Sequence, residues 1–376
     1  TRRSSDLDPE HRARAGEMLE PVYMRRADWH KVRTALEARL AASQDPDSRG
    51  ELLRRLATLH EEQLEDYGAA LETVAKLFHE DISDKEVWAE LERLAKVASK
   101  ERLAEIYAAE LSAVSSDDEA TAQIARRTGE IYADLNDVPA ALHWYRRAHE
   151  FEPESRPLFD AIDKLLVKER RHAERVALYR AGLDYRTDQE RLAALHTIAR
   201  LERIELSDPE KAIDTYRAAL DVDDGDEKAL DALTELYAEL GRHRDLADLY
   251  LRRAEAATSG EAAAPFRLAL ARLNRKELAD TGQAVDQLEA IVNDVPWHKE
   301  AIQELEDLVR DEEHKARVVE ILRPLYERAD DWRRIVQINE EQFNLATDPV
   351  EKVTILRGTA QLWETRGGDE IGRAHV

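Results

Sequence analysis

The chain has 376 residues, of which 36% are charged and 43% apolar, and its formal net charge is −24 at pH 7. So negative a protein is not expected to bind nucleic acid or an anionic membrane, because both are polyanions that bind Lys/Arg surfaces. The sequence contains no cysteine and no run of about 18 apolar residues, which excludes disulfides and thiolate sites and predicts no membrane insertion.

The composition is typical of amphipathic helices. Alanine, leucine, glutamate and arginine dominate, while glycine (13) and proline (11) are sparse, so we expect one continuous helical array without a long linker. The start lacks both an initiator methionine and the apolar centre of a signal peptide, which predicts a cytoplasmic protein whose N-terminus is a processing boundary. The 43 arginines against 13 lysines indicate GC-rich coding and hence a bacterial source.

Apolar residues at helical spacing predict a series of helical hairpins. The first spans about Glu10 to Ala42, with Pro21 inside its first helix, where a proline is expected to kink the backbone. In chain order, the residues that mark the predicted helices are Leu19 and Tyr23; Leu53, Leu56, Ala57 and His60; Ala70, Val74 and Leu77; Trp88, Leu91 and Leu94; Leu103 and Tyr107; Phe159, Ile162 and Leu166; Val176 and Tyr179; Leu195, Ile198 and Ala199; Ala212, Tyr216 and Ala219; Leu230, Leu233 and Tyr237; Tyr250; Leu270 and Ala271; and Ala284 and Leu288.

One hairpin, residues 124–153, shows the pattern most completely. Small and aromatic residues alternate along it, with a turn at Asn136-Asp137 and a closing Pro153. The pattern residues are Ile124, Ala125, Gly129, Tyr132, Ala141, Tyr145 and Ala148. The stretch resembles the tetratricopeptide repeat (TPR), a helical hairpin of about 34 residues. This resemblance implies an all-α superhelix, or solenoid, of stacked antiparallel hairpins that serves as a protein-interaction scaffold.

The repeat has two longer periods. The pairs Ala70-Leu71, Ala141-Leu142, Ala212-Ile213 and Ala284-Val285 recur at 71, 71 and 72 residues, so the unit is a double hairpin. In addition, residues 8–61 align without gaps with residues 311–364, at an offset of 303, with 20 identities in 54 positions.

The offset of 303 predicts a division of the chain. We expect a solenoid over 1–310 and the start of a second copy of the array over 311–376, with Asp311 as the N-cap of its first helix. Either one helix is left over between about His298 and Arg310 or the stacking is broken there, and a bend follows. The echo also predicts that the chain is a fragment of a longer repetitive protein.

The sequence offers no convincing catalytic, metal or cofactor site. His60-Glu61 begins like a zinc-protease helix, but Leu64 stands where the second histidine must be. The acidic run from Asp221 to Asp226 has its glycine one place early for a calcium loop, so a solvated connection between helices is favoured. We therefore predict a non-enzymatic protein with no cofactor and no metal.

The candidate binding residues are arginines on the first helices of the hairpins. The TPR resemblance places a peptide-binding groove on these helices, but no asparagine accompanies the arginines, so the family's carboxylate clamp does not carry over. The predicted groove residues are Arg54, Arg55, Arg126, Arg127, Glu130, Arg200, Arg203, Arg272, Arg275 and Arg357. They would recognise an acidic peptide or protein segment, because the guanidinium binds carboxylates bidentately. The alternative is that these arginines pair with carboxylates of neighbouring hairpins.

Three functions remain open at this point. The first is a non-catalytic scaffold that binds a peptide or protein in its concave groove. The second is a structural spacer or self-assembling filament segment without a specific ligand. The third is the sensor region of an enzyme whose catalytic domain lies outside these residues.

Overall fold

The structure is a computed structural model that describes residues 9–114 and 118–366. These residues form twenty α-helices, one 3-10 turn (Leu183–Tyr185) and one π-helical segment (Leu201–Glu205), with no strand among them. The helices are α1 Pro9–Arg25, α2 Trp29–Ala42, α3 Pro46–Glu62, α4 Tyr67–Glu80, α5 Lys85–Ala95, α6 Lys100–Ala113, α7 Glu119–Asp134, α8 Val138–Phe151, α9 Arg156–Lys168, α10 His172–Ala181, α11 Asp188–Arg200, α12 Pro209–Val222, α13 Glu227–Glu239, α14 His243–Ala256, α15 Gly260–Lys276, α16 Thr281–Asp294, α17 Lys299–Leu308, α18 Lys315–Arg328, α19 Trp332–Leu345 and α20 Pro349–Arg366. The predicted all-α class with antiparallel hairpins is confirmed.

A common turn joins the two helices of most hairpins. A residue in the connection that follows the first helix has a positive φ angle. The backbone amide of the next residue donates a hydrogen bond to a carbonyl five or six residues earlier, which satisfies a carbonyl at the C-terminal end of that helix. In the predicted turn Asn136-Asp137, Asn136 has φ 62° and the Asp137 amide donates to Tyr132 O at 2.9 Å. The positive-φ residues of this kind are Ala27, Glu65, Asn136, Arg170, Gly241, Ala279 and Asp330.

Aspartate side chains cap many of the helices. The carboxylates of Asp45, Asp66, Asp84, Asp118, Asp137, Asp208, Asp226, Asp280 and Asp331 accept hydrogen bonds from backbone amides of the first helical turn. In the acidic run, Asp226 is the cap of α13, and Asp223 Oδ1 accepts from the Gly225 amide at 3.0 Å. These carboxylates are therefore parts of the loop itself, as the solvated-connection interpretation predicts.

The chain forms two compact units, Thr1–Ser207 and Asp208–Val376. In the first unit, one apolar core runs through the helices from α3 to α9 and includes Leu53, Leu91, Ile124 and Leu142, none more than 1% exposed. In the second unit, a core runs from α15 to α19. The predicted repeat boundary at 310/311 stays a prediction, as does the bend.

Helix ends coincide between the two segments that align at an offset of 303. The offset carries Trp29 and Ala42, the ends of α2, onto Trp332 and Leu345, the ends of α19, and Pro21 and Pro324 both lie inside helices. The segment predicted to hold one left-over helix contains α17.

The prediction for Asp311 is wrong in detail. Its carboxylate accepts from the amides of Glu313 and His314, at 3.0 and 3.3 Å, and so caps a turn rather than a helix. The helix itself begins at Lys315, with His314 at the N-cap position. None of the described helices is apolar and long enough to cross a membrane.

Candidate functional site

The predicted arginines lie on helices that begin hairpins, but in both compact units. The first unit holds Arg54 and Arg55 on α3, Arg126, Arg127 and Glu130 on α7, Arg200 at the end of α11 and Arg203 in the π-helical segment. The second unit holds Arg272 and Arg275 on α15 and Arg357 on α20. That all ten residues line one groove stays a prediction.

Five of these arginines contact carboxylates about one hairpin away in the sequence. Arg55 on α3 pairs with Glu20 on α1, and Arg127 on α7 pairs with Glu92 on α5. Because both partners shift by 72 residues between these pairs, the contact recurs with the double-hairpin period.

The other contacts between hairpins join α3 to the start of α5 and α15 to α17. Arg54 lies 3.8 Å from Asp84, which is a loose pair. Arg272 and Arg275 both reach Glu304, at 2.7 and 2.9 Å, and these hydrogen bonds hold the pKa of Arg272 above its ordinary value. The close contacts of the other four arginines support pairing between repeats, whereas Arg54 is paired only loosely.

Arg126 differs from its neighbour Arg127. Its guanidinium pairs at 3.1 Å with Glu130 of the same helix, an exposed pair of the i,i+4 kind, so it does not tie α7 to another hairpin. Arg127, in contrast, also lies 5.3 Å from the centre of the Trp88 ring on α5. Arg200 and Arg357 are exposed, and Arg203 is half-buried.

Glu20 is a buried carboxylate that pairs with one of the predicted residues. Its side chain is 5% exposed and accepts from Arg39 on α2, at 2.5 Å, and from Arg55 on α3. A buried carboxylate needs such partners, because leaving water costs it far more than a neutral side chain loses. The group of Glu20, Arg39 and Arg55 therefore joins the first three helices.

A cleft of about 370 Å³ lies beside this group, between α1, α2 and α3. Its apolar wall consists of Trp29, Val32, Leu36 and Leu59, and its charged and polar rim of Glu20, Arg54, Arg55, Thr58, Glu62 and Gln63, with the exposed Met24 at its edge. Arg54 and Arg55 are among the residues predicted from the sequence, whereas Met24 and Trp29 are not. An exposed methionine beside a turn tryptophan is the signal that was available.

A second cleft adjoins the first. It has a volume of about 270 Å³ and is lined by residues of α3, α4 and α5, among them Val74, Leu77, Glu86 and Glu90. Arg54, Ala57 and Thr58 belong to its lining, and Arg54 and Thr58 line the first cleft as well. Together the two clefts, here called the α1–α5 surface, combine apolar side chains with carboxylates such as Glu62, Asp84 and Glu86, and Arg54 lies where they meet.

Comparison with known proteins finds similarity only among solved structures. No family model and no curated protein matches the chain. The crystal structure of YrrB, a TPR protein with an unusual peptide-binding site, is 15% identical with a TM-score of 0.27, over 54% of this chain and 99% of that one. The TPR domain of P58(IPK) is 16% identical with a TM-score of 0.26, over 95% of this chain and 99% of that one.

A tetratricopeptide repeat protein from Parabacteroides merdae is 14% identical with a TM-score of 0.27, over 70% of this chain and 99% of that one. At these identities and scores no residue role is transferred from any of the three structures. The assignment rests instead on this chain's own helix order, left-handed hairpin turns and close contact between Gly129 and the Tyr145 ring. By these features the described residues form an all-α array of antiparallel helical hairpins.

Proposed function

We propose that the chain is a non-catalytic scaffold that binds a protein segment on the α1–α5 surface. The observation that carries the proposal is the position of Arg54, which lines both adjoining clefts and, among the residues that the structure describes, pairs only with Asp84, at a loose 3.8 Å. Its side chain is 64% exposed, so a ligand carboxylate can approach it without breaking a buried contact.

The ligand chemistry follows from the lining. Trp29, Met24 and Leu59 offer an apolar pocket for one large side chain, and methionine and aromatic side chains adapt to varied partners. Arg54 offers two parallel donors to an acidic side chain next to that anchor. We therefore infer a segment that combines an apolar anchor with aspartate or glutamate nearby, which is the acidic partner that the sequence predicts.

The net charge of −24 works against an acidic ligand at long range. Attraction then has to come from arginines within about 8–10 Å, the distance over which salt screens charges under physiological conditions. The local arginines therefore determine where an acidic segment binds: its carboxylates are attracted at Arg54 and repelled by the rest of the protein surface.

The spacer alternative is favoured by a separate observation. Carboxylates of neighbouring hairpins form ion pairs with Arg55, Arg127, Arg272 and Arg275. Such pairs are expected in an array whose role is purely structural. The two proposals differ at Arg54, because a spacer needs no exposed arginine between two clefts.

The experiment selects ligands from a displayed library of random peptides on the purified chain. We expect enriched peptides with an aromatic or aliphatic residue close to Asp or Glu, and binding at least ten times weaker to Arg54→Glu at an unchanged melting temperature. Arg191→Glu, the same charge change at an exposed site on α11, is the matched control and is expected to bind normally. If no peptide family is enriched, or if Arg54→Glu binds as tightly as the control, the chain is a spacer at this surface.

A further inference from the structure

A cleft of about 510 Å³ lies on α8 and at the turn before α10, within the first compact unit. The polar and charged side chains in its lining are His143, Arg146, Arg147, Glu150 and Arg171, and Pro139 lies at its edge. Three of these side chains are arginines and only one is a carboxylate, although the net charge of the chain is −24. The cleft, here called the α8–α10 cleft, shares no lining residue with the α1–α5 surface.

A closely related group of charges occurs 71 residues later, in the second unit. Each group has two arginines that form ion pairs with one shared carboxylate. The first group is Arg146, Arg171 and Glu174, and the second group is Arg217, Arg242 and Asp245. The turns before α10 and α14 match as well, because Arg170 and Gly241 both have positive φ. The two groups are therefore structural equivalents, and their surroundings can be compared residue by residue.

The second group has one more ion pair than the first. Glu210 of α12 accepts from Arg242 at 2.8 Å, and the offset of 71 places Pro139 at the position of Glu210. Proline has no side-chain acceptor, so Glu174 is the only carboxylate that pairs with Arg171 among the described residues. The side chain of Arg171 is also more exposed than that of Arg242, at 38% against 28%.

A second acidic residue is replaced at His143. This residue directly follows Ala141-Leu142, one of the four pairs that define the period, and the residues that follow the other three pairs are Glu72, Asp214 and Asp286. Two of these carboxylates pair with an arginine of a neighbouring helix, Glu72 with Arg102 on α6 and Asp286 with Arg317 on α18. The α8–α10 cleft is therefore lined at both positions, 139 and 143, by residues that replace a carboxylate.

The aromatic neighbour of the second group is absent from the first. Arg217 donates to the Tyr237 hydroxyl at 2.8 Å, and the Tyr237 ring centre lies 5.2 Å from the guanidinium of Arg242. Leu166 stands at the equivalent position and is fully buried in the core of the first unit. Because leucine offers neither a hydroxyl nor a ring face, the arginines of the α8–α10 cleft do not make these two contacts.

We propose that the α8–α10 cleft binds an acidic segment of a partner protein, whose carboxylates supply the two negative charges that Pro139 and His143 remove. Arg171 offers the planar pair of donors that a carboxylate accepts bidentately. A short segment brings only a few charges and meets the arginines locally. A second copy of the chain would bring a net charge of −24, and two such molecules repel each other.

The probe for a direct test is a labelled peptide of consecutive glutamates flanked by glycine and serine, titrated with the full chain and followed by fluorescence anisotropy. It contains no apolar anchor, so it differs from the ligand inferred for the α1–α5 surface. We expect saturable binding that is retained in Arg54→Glu and is at least tenfold weaker in Arg171→Glu. Arg244→Glu, the same charge change at an exposed site on α14, is the matched control and is expected to bind normally.

Two further variants supply the missing carboxylate from within the chain. Pro139→Glu and His143→Asp each install the acidic residue of the second group at an exposed position. We expect each variant to bind the peptide at least tenfold more weakly and to melt at the same temperature as the natural chain or slightly above it, because the new carboxylate pairs with an arginine of the cleft. Loss of binding without loss of stability does not arise from misfolding.

Three results would overturn the proposal. The first is a glutamate peptide that binds no better than the same peptide with glutamine in place of glutamate. The second is binding that is lost in Arg54→Glu but kept in Arg171→Glu and His143→Asp, because the peptide is then bound by the α1–α5 surface. The third is a peptide with one phosphoserine that binds at least tenfold more tightly than the glutamate peptide, which assigns the cleft to a phosphoryl group. The first and third results leave the proposal for Arg54 unaffected.

Discussion

Gly129 on α7 lies directly against the ring of Tyr145 on α8. A Cβ atom built at Gly129 would stand 2.7 Å from Cδ1 and 2.9 Å from Cγ of that ring, closer than real side chains approach. The glycine therefore lets the two helices come together around the tyrosine, which is buried. This contact explains why the pattern of a small residue followed by an aromatic one marks a hairpin in the sequence.

The first prediction is that Gly129→Ala destabilises the chain. The added methyl forces the Tyr145 ring or a helix to shift, a cost of about 1–3 kcal/mol that exceeds the gain of up to about 1 kcal/mol in helix propensity. We expect a lower urea midpoint and melting temperature. Gly358→Ala is the matched control, because nothing lies within 4 Å of its Cβ and α20 is expected to become slightly more stable. Equal effects at the two glycines would contradict this account.

Much of the fold could be predicted because its determinants are local. At the Asn136-Asp137 turn, the residue with positive φ and the aspartate that caps α8 are adjacent in sequence. The prolines near helix ends and the 71-residue period can likewise be recognised in the sequence itself. The start of α18 could not be placed, because Asp311 is able to cap either a turn or a helix and the choice is made by the following residues. Helix ends are in general the least constrained part of such a pattern.

The second prediction concerns the buried carboxylate that joins the first three helices. Glu20→Gln removes the charge that Arg39 and Arg55 share, and we expect a loss of about 2 kcal/mol in the free energy of unfolding. Glu130→Gln removes an exposed partner within α7 and is expected to cost less than about 0.5 kcal/mol. Urea unfolding at low and high salt measures both changes. A loss at Glu20 no larger than at Glu130 would show that the group is dispensable.

The candidate site was only partly predictable. Arginines could be located on the first helices from helical phase, but their partners lie about one hairpin away, and the period alone does not say which carboxylate is within reach. Arg127 and Arg126 are adjacent in sequence, yet one joins α7 to α5 and the other pairs within α7. Only the packing of neighbouring hairpins shows which arginine pairs with another hairpin and which stays exposed on its own helix.

The third prediction is a pH dependence set by His60. Burial lowers the pKa of His60 from its ordinary value of 6.5, because the imidazolium loses its hydration, and the nearby Asp66 opposes this only in part. The unfolded chain therefore takes up the proton first, so the contribution of His60 is intact above pH 6.5 and is lost as the pH falls below it.

We expect His60→Gln to lose less melting temperature than the natural chain between about pH 7.5 and about pH 5.5. His79 supplies a control of opposite sign, since its hydrogen bond to Glu110 raises its pKa. Its stabilisation is present below about pH 6.5 and is lost as the pH rises through the raised pKa, so His79→Gln is expected to lose more melting temperature on acidification than the natural chain. Parallel curves for both variants and the natural chain would rule out this assignment.

The last prediction separates the two interpretations of the arginine residues at one pair of adjacent positions. Arg127→Glu places a carboxylate against Glu92 and removes the contact with the Trp88 ring, so we expect it to destabilise the first unit by about 1–2 kcal/mol. Arg126→Glu only brings like charge near Glu130 on the same helix, and we expect a loss of about 0.2–0.5 kcal/mol. Glu92→Arg combined with Arg127→Glu is expected to recover most of the stability, because the pair is rebuilt with its charges exchanged.

Thermal and urea unfolding of the four chains measures these effects, and peptide binding is measured on the same samples. If Arg126→Glu weakens peptide binding at unchanged stability, Arg126 belongs to the binding surface, whereas a loss of stability without a change in binding for Arg127→Glu identifies Arg127 as a contact between repeats.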